Sequence, residues 1–283
     1  MKSLQELVKE EQAMSAVYGL TNVFEGLASM RIAQVKDQVL RSQQFFDELW
    51  QIYSQIHIKG QFGYGREAHE KVSDKVLYIA VTSEGSFSGD IDQKLINLML
   101  QDYDPDKQDI VIIGHHGALQ LVQAGVKFKR YFKLPVHDSS INVAPLIDEV
   151  KQYKSSTVFY QTYVTLTVQN IKRIELHGII EEASKQVGKG DEIISEETYI
   201  FEPSAQSVAS HLESTMLQIA LTQTILESKL AQYASRFRSM SSASERASDQ
   251  SRLLHMEYNR SRRFLADERL KEVINGLRKV PTL

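Results

Sequence analysis

Residues 204–275 read SAQSVASHLESTMLQIALTQTILESKLAQYASRFRSMSSASERASDQSRLLHMEYNRSRRFLADERLKEVIN. Neither proline nor glycine occurs between Pro203 and Gly276, so no residue type that interrupts a helix is present. A helix over this stretch would span roughly 100 Å at 1.5 Å per residue, whereas an average helix has about 11 to 12 residues. We therefore predict one long helix, with Asn275-Gly276 as its terminator.

Apolar side chains recur along this stretch in steps of three and four. That spacing places them on one face of a helix, as an apolar seam against a partner helix requires. Most helical stability in proteins comes from packing such a face, so the sequence predicts a partner. The seam comprises Val208, Leu212, Met216, Ile219, Leu226, Leu230, Tyr233, Phe237, Met240, Ala243 and Ala247, and resumes with Leu254, Tyr258, Leu265, Leu270, Val273, Ile274 and Leu277.

The predicted partner is at the other end of the chain. From Leu4 to about Ile58 there is no proline, and apolar residues again fall mainly on three-or-four spacing. Gly19 and Gly26 interrupt this run, and close helix contact is the expected reason for their presence. The two terminal helices would pair as an antiparallel coiled coil. The N-terminal seam comprises Leu7, Val17, Leu20, Phe24, Leu27, Val35, Phe45, Leu49, Ile52 and Ile56.

Between the two helices, β-branched apolar runs alternate with helical stretches, which is typical of an α/β domain with a largely parallel sheet. The predicted fold is therefore mixed α+β and α/β: a long antiparallel coiled coil of the N- and C-terminal helices with an inserted Rossmann-like α/β domain. Its predicted segments are 1–59, 60–203 and 204–283. Strand candidates are 76–81, 109–113, 158–168 and 173–176, and helix candidates are 91–100, 118–123 and 141–153.

Composition narrows the possible functions. The 283 residues carry a net charge of −3 and include no cysteine, which excludes disulfides and thiolate chemistry in this chain. A weakly acidic chain does not suggest a dedicated nucleic-acid or membrane-surface protein. Residues 227–283 nevertheless carry 12 basic and 7 acidic side chains. This basic end suggests an acidic partner surface, with a solvated helix face as the alternative.

Four stretches of the middle segment resemble ligand sites, and each has a structural alternative. The turn at 83–89 lacks the spacing of a dinucleotide or phosphate loop. The acidic stretch 102–109 lacks the glycine and glutamate of a calcium loop, which favours a plain acidic loop. His115-His116 would point to opposite faces of a strand, which favours a polar turn over a metal site. Residues 127–133 alternate cations with aromatics, as single-strand binders do, but a half-buried strand explains them equally. No catalytic residue, metal site or cofactor is predicted.

At its C-terminal end the sequence resembles the gamma subunit of F-type ATP synthases. The stretch from Ala234 to Ala243 is similar to the family's A-R-M-x-A-M-x-x-A-T. Residues 256–264 and 270–276 are similar, in the same register, to L-x-Y-N-x-x-R-Q-A-x-I-T-x-E-L-x-E-I-V-x-G-A, and Glu202-Pro203 stands where the family has Glu-Pro. More loosely, residues 82–89 resemble S-D-R-G-L-C-G-G with one residue missing, and residues 113–117 resemble I-G-x-K-G.

The resemblance implies a non-enzymatic rotor shaft. Its partners would be the alpha and beta subunits, three of each per gamma, the epsilon subunit and the membrane c ring, with no nucleic acid and no small-molecule substrate. Proton flow would turn the shaft, whose asymmetric contacts would bias the nucleotide states of the three beta subunits. The expected location is peripheral, on the cytoplasmic face of a bacterial plasma membrane.

The resemblance also implies the contact residues. Contacts with the alpha and beta ring would come from Arg236, Met240, Asn259, Arg262, Arg263, Asp267 and Arg269. Arg262 keeps the family's residue, whereas Arg263, Asp267 and Arg269 stand where the family has glutamine, threonine and glutamate. Asp267 could instead pair with Arg263 along the helix. The apolar tip would consist of Leu270, Val273, Ile274, Leu277, Val280 and Leu283.

Three alternative functions remain open on the sequence. A gamma-like shaft could belong to a related ATPase that serves motility or secretion, since several contact residues are replaced. A coiled-coil stalk with an α/β domain could also be a scaffold unrelated to nucleotide turnover. An enzyme with a nucleotide at Ser83 to Gly89 is the third alternative, and it alone predicts that the isolated chain binds ATP.

Overall fold

The computed structural model describes residues 3–55, 72–135, 138, 141–176, 202 and 204–278. Long helices at the two ends of the chain and an α/β middle are confirmed. In chain order the described elements are α1 (Leu4–Gln55), β1 (Ser73–Val81), α2 (Ile91–Gln101), β2 (Gln108–Ile113), α3 (His115–Gln123), β3 (Arg130–Phe132), α4 (Ala144–Val150), β4 (Tyr153–Tyr163), β5 (Gln169–Glu175) and α5 (Ala205–Arg278).

The two terminal helices have 52 and 74 residues. A capping box starts α1, because the Ser3 hydroxyl accepts from the Glu6 amide at 3.2 Å and the Glu6 carboxylate accepts from the Ser3 amide at 2.8 Å. The predicted terminator Asn275-Gly276 is wrong, since α5 continues through it to Arg278. A single glycine costs a helix about 1 kcal/mol, which a long helix absorbs without ending.

The sheet has the strand order β3-β2-β1-β4-β5. The first four strands run parallel, and β5 pairs antiparallel with β4 at one edge, so the predicted largely parallel sheet is confirmed. Some predicted boundaries are wrong: α4 ends at Val150 rather than at Tyr153, and β4 runs from Tyr153 to Tyr163 rather than through 168. Residues 164–168 instead form the β4–β5 turn, where the Val164 amide donates to the Val168 carbonyl at 3.2 Å.

Each face of the sheet has its own apolar core. On one face, α4 and part of α5 pack against the strands, with Leu217, Leu221 and Ile225 contributed by α5. On the other face, α2 and α3 contribute Leu95, Ile96, Met99 and Leu121. Because the central strands are covered on both faces, β1, β2 and β4 contain continuous buried runs rather than an alternating pattern.

The chain divides into two compact units. Unit 1 comprises Met1–Leu27 with Phe237–Leu283, and unit 2 comprises Ala28–Arg236. Each unit therefore contains part of both terminal helices, and unit 2 also contains the sheet. The predicted boundaries near residues 59 and 203 lie outside the described residues and stay a prediction.

The N-terminal helix buries a different face from the predicted one. Of the predicted seam, Val17, Leu20, Phe24, Leu27 and Phe45 are exposed, Leu49 is half-buried, and Leu7 and Val35 are buried. The side chains of Ile52 and Ile56 lie outside the described part of the chain. Close contact at Gly19 and Gly26 is also contradicted, because a Cβ added at either would meet nothing within 4 Å. Apolar residues occupy both sides of α1, so spacing alone selects no face. The buried face comprises Leu7, Thr21, Ala28, Ile32, Val35 and Phe46.

Candidate functional site

Five of the seven predicted contact residues lie close together on α5, within unit 1. Arg262, Arg263, Asp267 and Arg269 are exposed, and Asn259 is half-buried. A shallow groove of about 410 Å³ runs along this part of the helix. Its lining includes charged side chains of both signs beside apolar ones: Met256, Asn259, Arg260, Arg263, Phe264 and Asp267.

The alternative pairing of Asp267 with Arg263 is not formed. Both residues lie in the described part of the chain, and no ion pair or hydrogen bond joins them although both line the same groove. Two turns earlier on α5, a polar contact with the other terminal helix is formed, since His255 Nδ1 lies 3.0 Å from Glu11 Oε1 of α1. The charges of Arg263 and Asp267 are therefore exposed at the groove and accessible to a partner.

The other two predicted contact residues are engaged within their own chain. Met240 is only 6 % exposed. The Arg236 guanidinium donates from Nε to the Ser86 carbonyl at 3.2 Å and from Nη2 to the Ser88 hydroxyl at 3.3 Å. Burial lowers the pKa of Arg236 below its ordinary value. Arg236 thus holds the turn after β1, and a contact of these two residues with another subunit stays a prediction.

The turn that Arg236 holds borders the crevice at the carboxyl ends of β1 and β4. In a doubly wound sheet the strand order reverses here, and this is where such folds bind ligands. In this chain Gln161 of β4 reaches Ser228 and Gln232 of α5 across the crevice. All three residues are buried. The crevice is therefore occupied by the chain's own C-terminal helix, which leaves the nucleotide alternative without this site.

Asp92, near the start of α2, is the centre of the polar contacts in this crevice. Its carboxylate is fully buried and accepts hydrogen bonds from the Ser83 amide and hydroxyl and, at 2.8 Å, from Gln161 Nε2. His116 Nδ1 lies 2.8 Å from Asp92 Oδ2. This hydrogen bond raises the pKa of His116 above its ordinary value.

His116 and its neighbour do not form the polar turn that the sequence predicts. They are the first two residues of α3, where His116 contacts Asp92 and the His115 amide donates to the Glu84 carboxylate at 3.1 Å. Sequence reasoning missed Asp92 altogether, because its partners are 9, 24 and 69 positions away. No local motif marks contacts of that range.

The remaining ligand-like stretches have structural roles. Within 127–133, Lys129 and Arg130 both contact the buried Glu149 carboxylate, at 3.1 and 2.6 Å, and residues 130–132 form β3. Asp104 pairs with Lys107 at 3.2 Å in the acidic loop. Among the described residues, no group of histidine and carboxylate side chains is arranged to hold a metal ion.

A buried ion pair, also missed by sequence reasoning, connects α5 to the segment after β3. Lys229 contacts the Asp138 carboxylate, and both side chains are at least nine-tenths buried. The ammonium group also donates to the Pro135 carbonyl at 2.7 Å, and Arg31 of α1 lies 3.7 Å from the same carboxylate. Three separate parts of the chain thus meet at one charge cluster in unit 2.

Comparison with known proteins decides the family. Residues 3–279 match a family model described as ATP synthase. The chain belongs to the ATP synthase gamma-chain family. Its relatives include the ATP synthase gamma chains of Cytophaga hutchinsonii, 21 % identical over 98 % of both chains, and of Mesoplasma florum, 22 % identical over 98 % of both chains.

Solved structures show the same fold. A chain of the Euglena gracilis mitochondrial ATP synthase gives a TM-score of 0.65 at 12 % identity, with 98 % of this chain and 97 % of that chain covered. A chain of the Tetrahymena thermophila central stalk and c ring gives 0.55 at 14 % identity, with 80 % and 99 % covered. The predicted family and the predicted role of a non-catalytic central-stalk subunit are confirmed for this gamma-family chain. No described helix has an apolar stretch long enough to cross a membrane.

Proposed function

We propose that this chain is the rotating shaft of an F-type ATP synthase, enclosed over part of its length by a ring of three alpha and three beta subunits. The observation that carries the proposal is the exposed apolar surface of both terminal helices in unit 1. Leu20 and Val23 of α1 are each 61 % exposed, and Leu270 and Val273 of α5 are each 62 % exposed. Apolar patches of this kind mark protein interfaces.

The two helices form the shaft as an antiparallel coiled coil. Unit 1 groups the start of α1 with the end of α5, whereas later residues of α1 belong with earlier residues of α5 in unit 2. That order is what antiparallel pairing produces. The contact of Glu11 with His255 and the burial of Leu7 and Leu254 support it within unit 1.

The mechanism is conformational coupling. The exposed face of the shaft carries apolar residues beside a groove with both signs of charge, so it presents different chemistry in different directions. At any rotation angle, each of the three beta subunits would therefore contact a different part of the shaft surface. Differential contact free energy then biases each subunit toward a different nucleotide state as the shaft turns.

The α/β domain would join the epsilon subunit and the c ring, through which proton flow drives rotation. Solved relatives of this fold come from assemblies that include the rotor and the c ring. The bacterial gamma-chain relatives support a peripheral location on the cytoplasmic face of a bacterial plasma membrane. The shaft would then belong to a membrane-associated complex without entering the bilayer.

Co-purification tests the proposal. A tagged copy of the chain expressed in its source cell should bring down alpha-like and beta-like subunits in a ratio of one to three to three. ATP-driven proton pumping by that complex distinguishes an ATP synthase from an ATPase of motility or secretion. Capture of neither subunit would reject the rotor function, and ATP binding by the isolated chain in a calorimetric titration would favour an enzyme.

Replacement of Arg262 and Arg263 by alanine tests the predicted contacts on α5. If the pair contacts the ring, the assembled complex should lose ATPase rate, coupling or both. Arg252→Ala is the control, since it removes an exposed arginine of the same helix that was not predicted to contact the ring. Unchanged ATPase rate and coupling in the Arg262 and Arg263 variant would remove these residues from the mechanism.

A further inference from the structure

Along one face of α5, the buried side chains change from apolar to polar after Ile225. Leu217, Leu221 and Ile225 belong to the apolar core on one face of the sheet. The same three-or-four spacing continues with Ser228, Gln232 and Ser235, all of them buried. These polar residues face the crevice at the carboxyl ends of β1 and β4 rather than another apolar layer. Each of them makes a hydrogen bond there.

The hydrogen bonds form a continuous chain from α2 to α5. Asp92 accepts from Gln161 Nε2 at 2.8 Å, and Gln161 Oε1 accepts from the Ser228 hydroxyl and, at 3.4 Å, from Gln232 Nε2. Gln232 Nε2 also donates to Ser228 Oγ at 3.1 Å. One turn later, the Ser235 hydroxyl donates to the Ser88 carbonyl at 2.6 Å. We name Asp92, Gln161, Ser228 and Gln232 the polar joint.

The polar joint differs mechanically from the apolar core beside it. Apolar contacts are non-directional, so a helix that slides or rotates slightly over the sheet replaces one such contact with another. A buried hydrogen bond is directional, and breaking it leaves polar atoms without a partner in a medium that cannot solvate them. All four residues of the joint are at most 3 % exposed, so water does not replace a broken bond. The joint therefore resists rotation of α5 relative to the sheet.

We propose that the polar joint carries torque between the α/β domain and α5, with Asp92 as the residue that positions Gln161 toward the helix. The inference rests on the proposed rotor function and adds where force is transmitted within the shaft. Asp92 is suited to this because Ser83, His116 and Gln161 hold its carboxylate from three different parts of the chain, namely the turn after β1, α3 and β4. From Gln232 onward α5 continues as one helix to Arg278.

The test uses the complete complex in membrane vesicles and two double variants. Ser228→Ala with Gln232→Leu removes the helix side of the joint. Thr222→Ala with Gln223→Leu makes the same type of change about two turns earlier, where the Thr222 hydroxyl donates to the Gln218 carbonyl of its own helix. The measured quantity is the number of protons pumped per ATP hydrolysed. The joint variant should lose at least half of this ratio while it keeps ATPase activity, and the control variant should keep the wild-type ratio.

A reversible cross-link provides the second measurement. The chain has no cysteine, so Ser88→Cys with Ser235→Cys introduces one defined pair across the same crevice. When the cysteine pair is added to the joint variant and oxidised, the disulfide should restore the pumping ratio. If the joint variant fails to assemble, the disulfide should restore assembly instead. Reduction of the disulfide should reverse the rescue. A wild-type ratio in the joint variant, or no rescue on oxidation, would overturn the proposal. Failure of the wild-type chain to assemble with alpha and beta subunits would instead reject the rotor function.

Discussion

At the scale of single residues, side chains distant in sequence assemble the polar interior of unit 2. Asp92 shows this most clearly, since a fully buried carboxylate is stable only when it is hydrogen-bonded. It lies second in a short helix, where nothing in the local sequence distinguishes it from a solvated surface residue. Its role depends on Ser83, His116 and Gln161, which three other parts of the chain supply.

The His116–Asp92 contact predicts a pH-dependent stability. Asp92 raises the folded-state pKa of His116 above 6.5, so its contribution is fully present below about pH 6.5 and is lost as pH rises through the raised value. His116→Gln should therefore cost more at about pH 6 than at about pH 9. The imidazole is partly exposed, so we expect roughly 0.5 kcal/mol.

Urea unfolding of the wild-type chain and the His116→Gln variant across this pH range measures the difference. His255→Gln is the matched control, because His255 lies beside the partly exposed Glu11 carboxylate rather than a buried one. A cost for His116→Gln that stays constant with pH, or that grows as pH rises, would contradict the prediction.

At the scale of elements, each long helix has more than one kind of face. The sequence seam of α5 includes Met216, Leu226 and Leu230, which are buried, but it omits Leu217, Leu221 and Ile225, which pack on the sheet. A helix that contacts both a partner helix and a sheet is apolar over much of its circumference, so a single seam describes only part of it. Over residues 253–274 most of the large apolar residues are exposed, although Leu254 is buried.

Truncating one side chain in the part of α5 that packs on the sheet and one in the exposed part measures how much each region contributes to stability. Leu221→Ala should destabilise the isolated chain by about 2 to 4 kcal/mol, because it leaves a cavity against the sheet. Leu270→Ala, the same chemical change at a side chain that is 62 % exposed, should cost less than about 0.5 kcal/mol. Guanidinium unfolding of both variants checks this, and equal costs would mean that the two side chains are packed alike.

The Lys229–Asp138 ion pair fixes α5 to the segment after β3. Removing one partner of this pair should destabilise the protein more than replacing both. Lys229→Ala leaves a buried carboxylate whose remaining ion-pair partner among the described residues is Arg31 at 3.7 Å, so we expect a cost of about 3 kcal/mol. Replacing both partners, as Lys229→Met with Asp138→Leu, should recover much of that loss, because no buried charge remains.

Urea unfolding of Lys229→Met, of Asp138→Leu and of the double variant that combines them forms a double-mutant cycle for this pair. Lys75→Ala, which leaves the partly exposed Asp109 without its 3.2 Å partner, is the control and should cost less than about 1 kcal/mol. Additive costs in the cycle would show that Lys229 and Asp138 act independently.

At the scale of the whole molecule, the chain combines a well-packed α/β domain with helices that expose apolar surface. That combination is unfavourable for a protein that acts alone, since exposed apolar area promotes self-association. It is expected of a subunit that functions inside a larger assembly. The isolated chain should consequently behave differently from the chain in its complex.

Replacing Leu270, Val273 and Ile274 by serine tests this. The variant should fold with unchanged helix content and self-associate less than the wild-type chain in sedimentation experiments, because about 25 cal/mol is lost for each Å² of apolar area no longer buried. Its affinity for alpha and beta subunits should fall at least tenfold. Leu119→Ser with Val122→Ser, exposed on α3 in unit 2, is the control. Wild-type affinity in the triple variant would place the ring contact elsewhere on the chain.

The sequence by itself determined the long helices, the largely parallel sheet and the family. Uninterrupted three-or-four spacing indicates a helix, and β-branched apolar runs between turns indicate strands, because both signals come from residues close together in sequence. Only the tertiary structure decided which face of α1 is buried, that Asp92 organises the crevice, and that Lys229 pairs with Asp138. Those outcomes depend on contacts between residues that are distant in sequence. A residue's neighbours along the chain carry no record of which distant side chain will satisfy its charge or fill the space beside it.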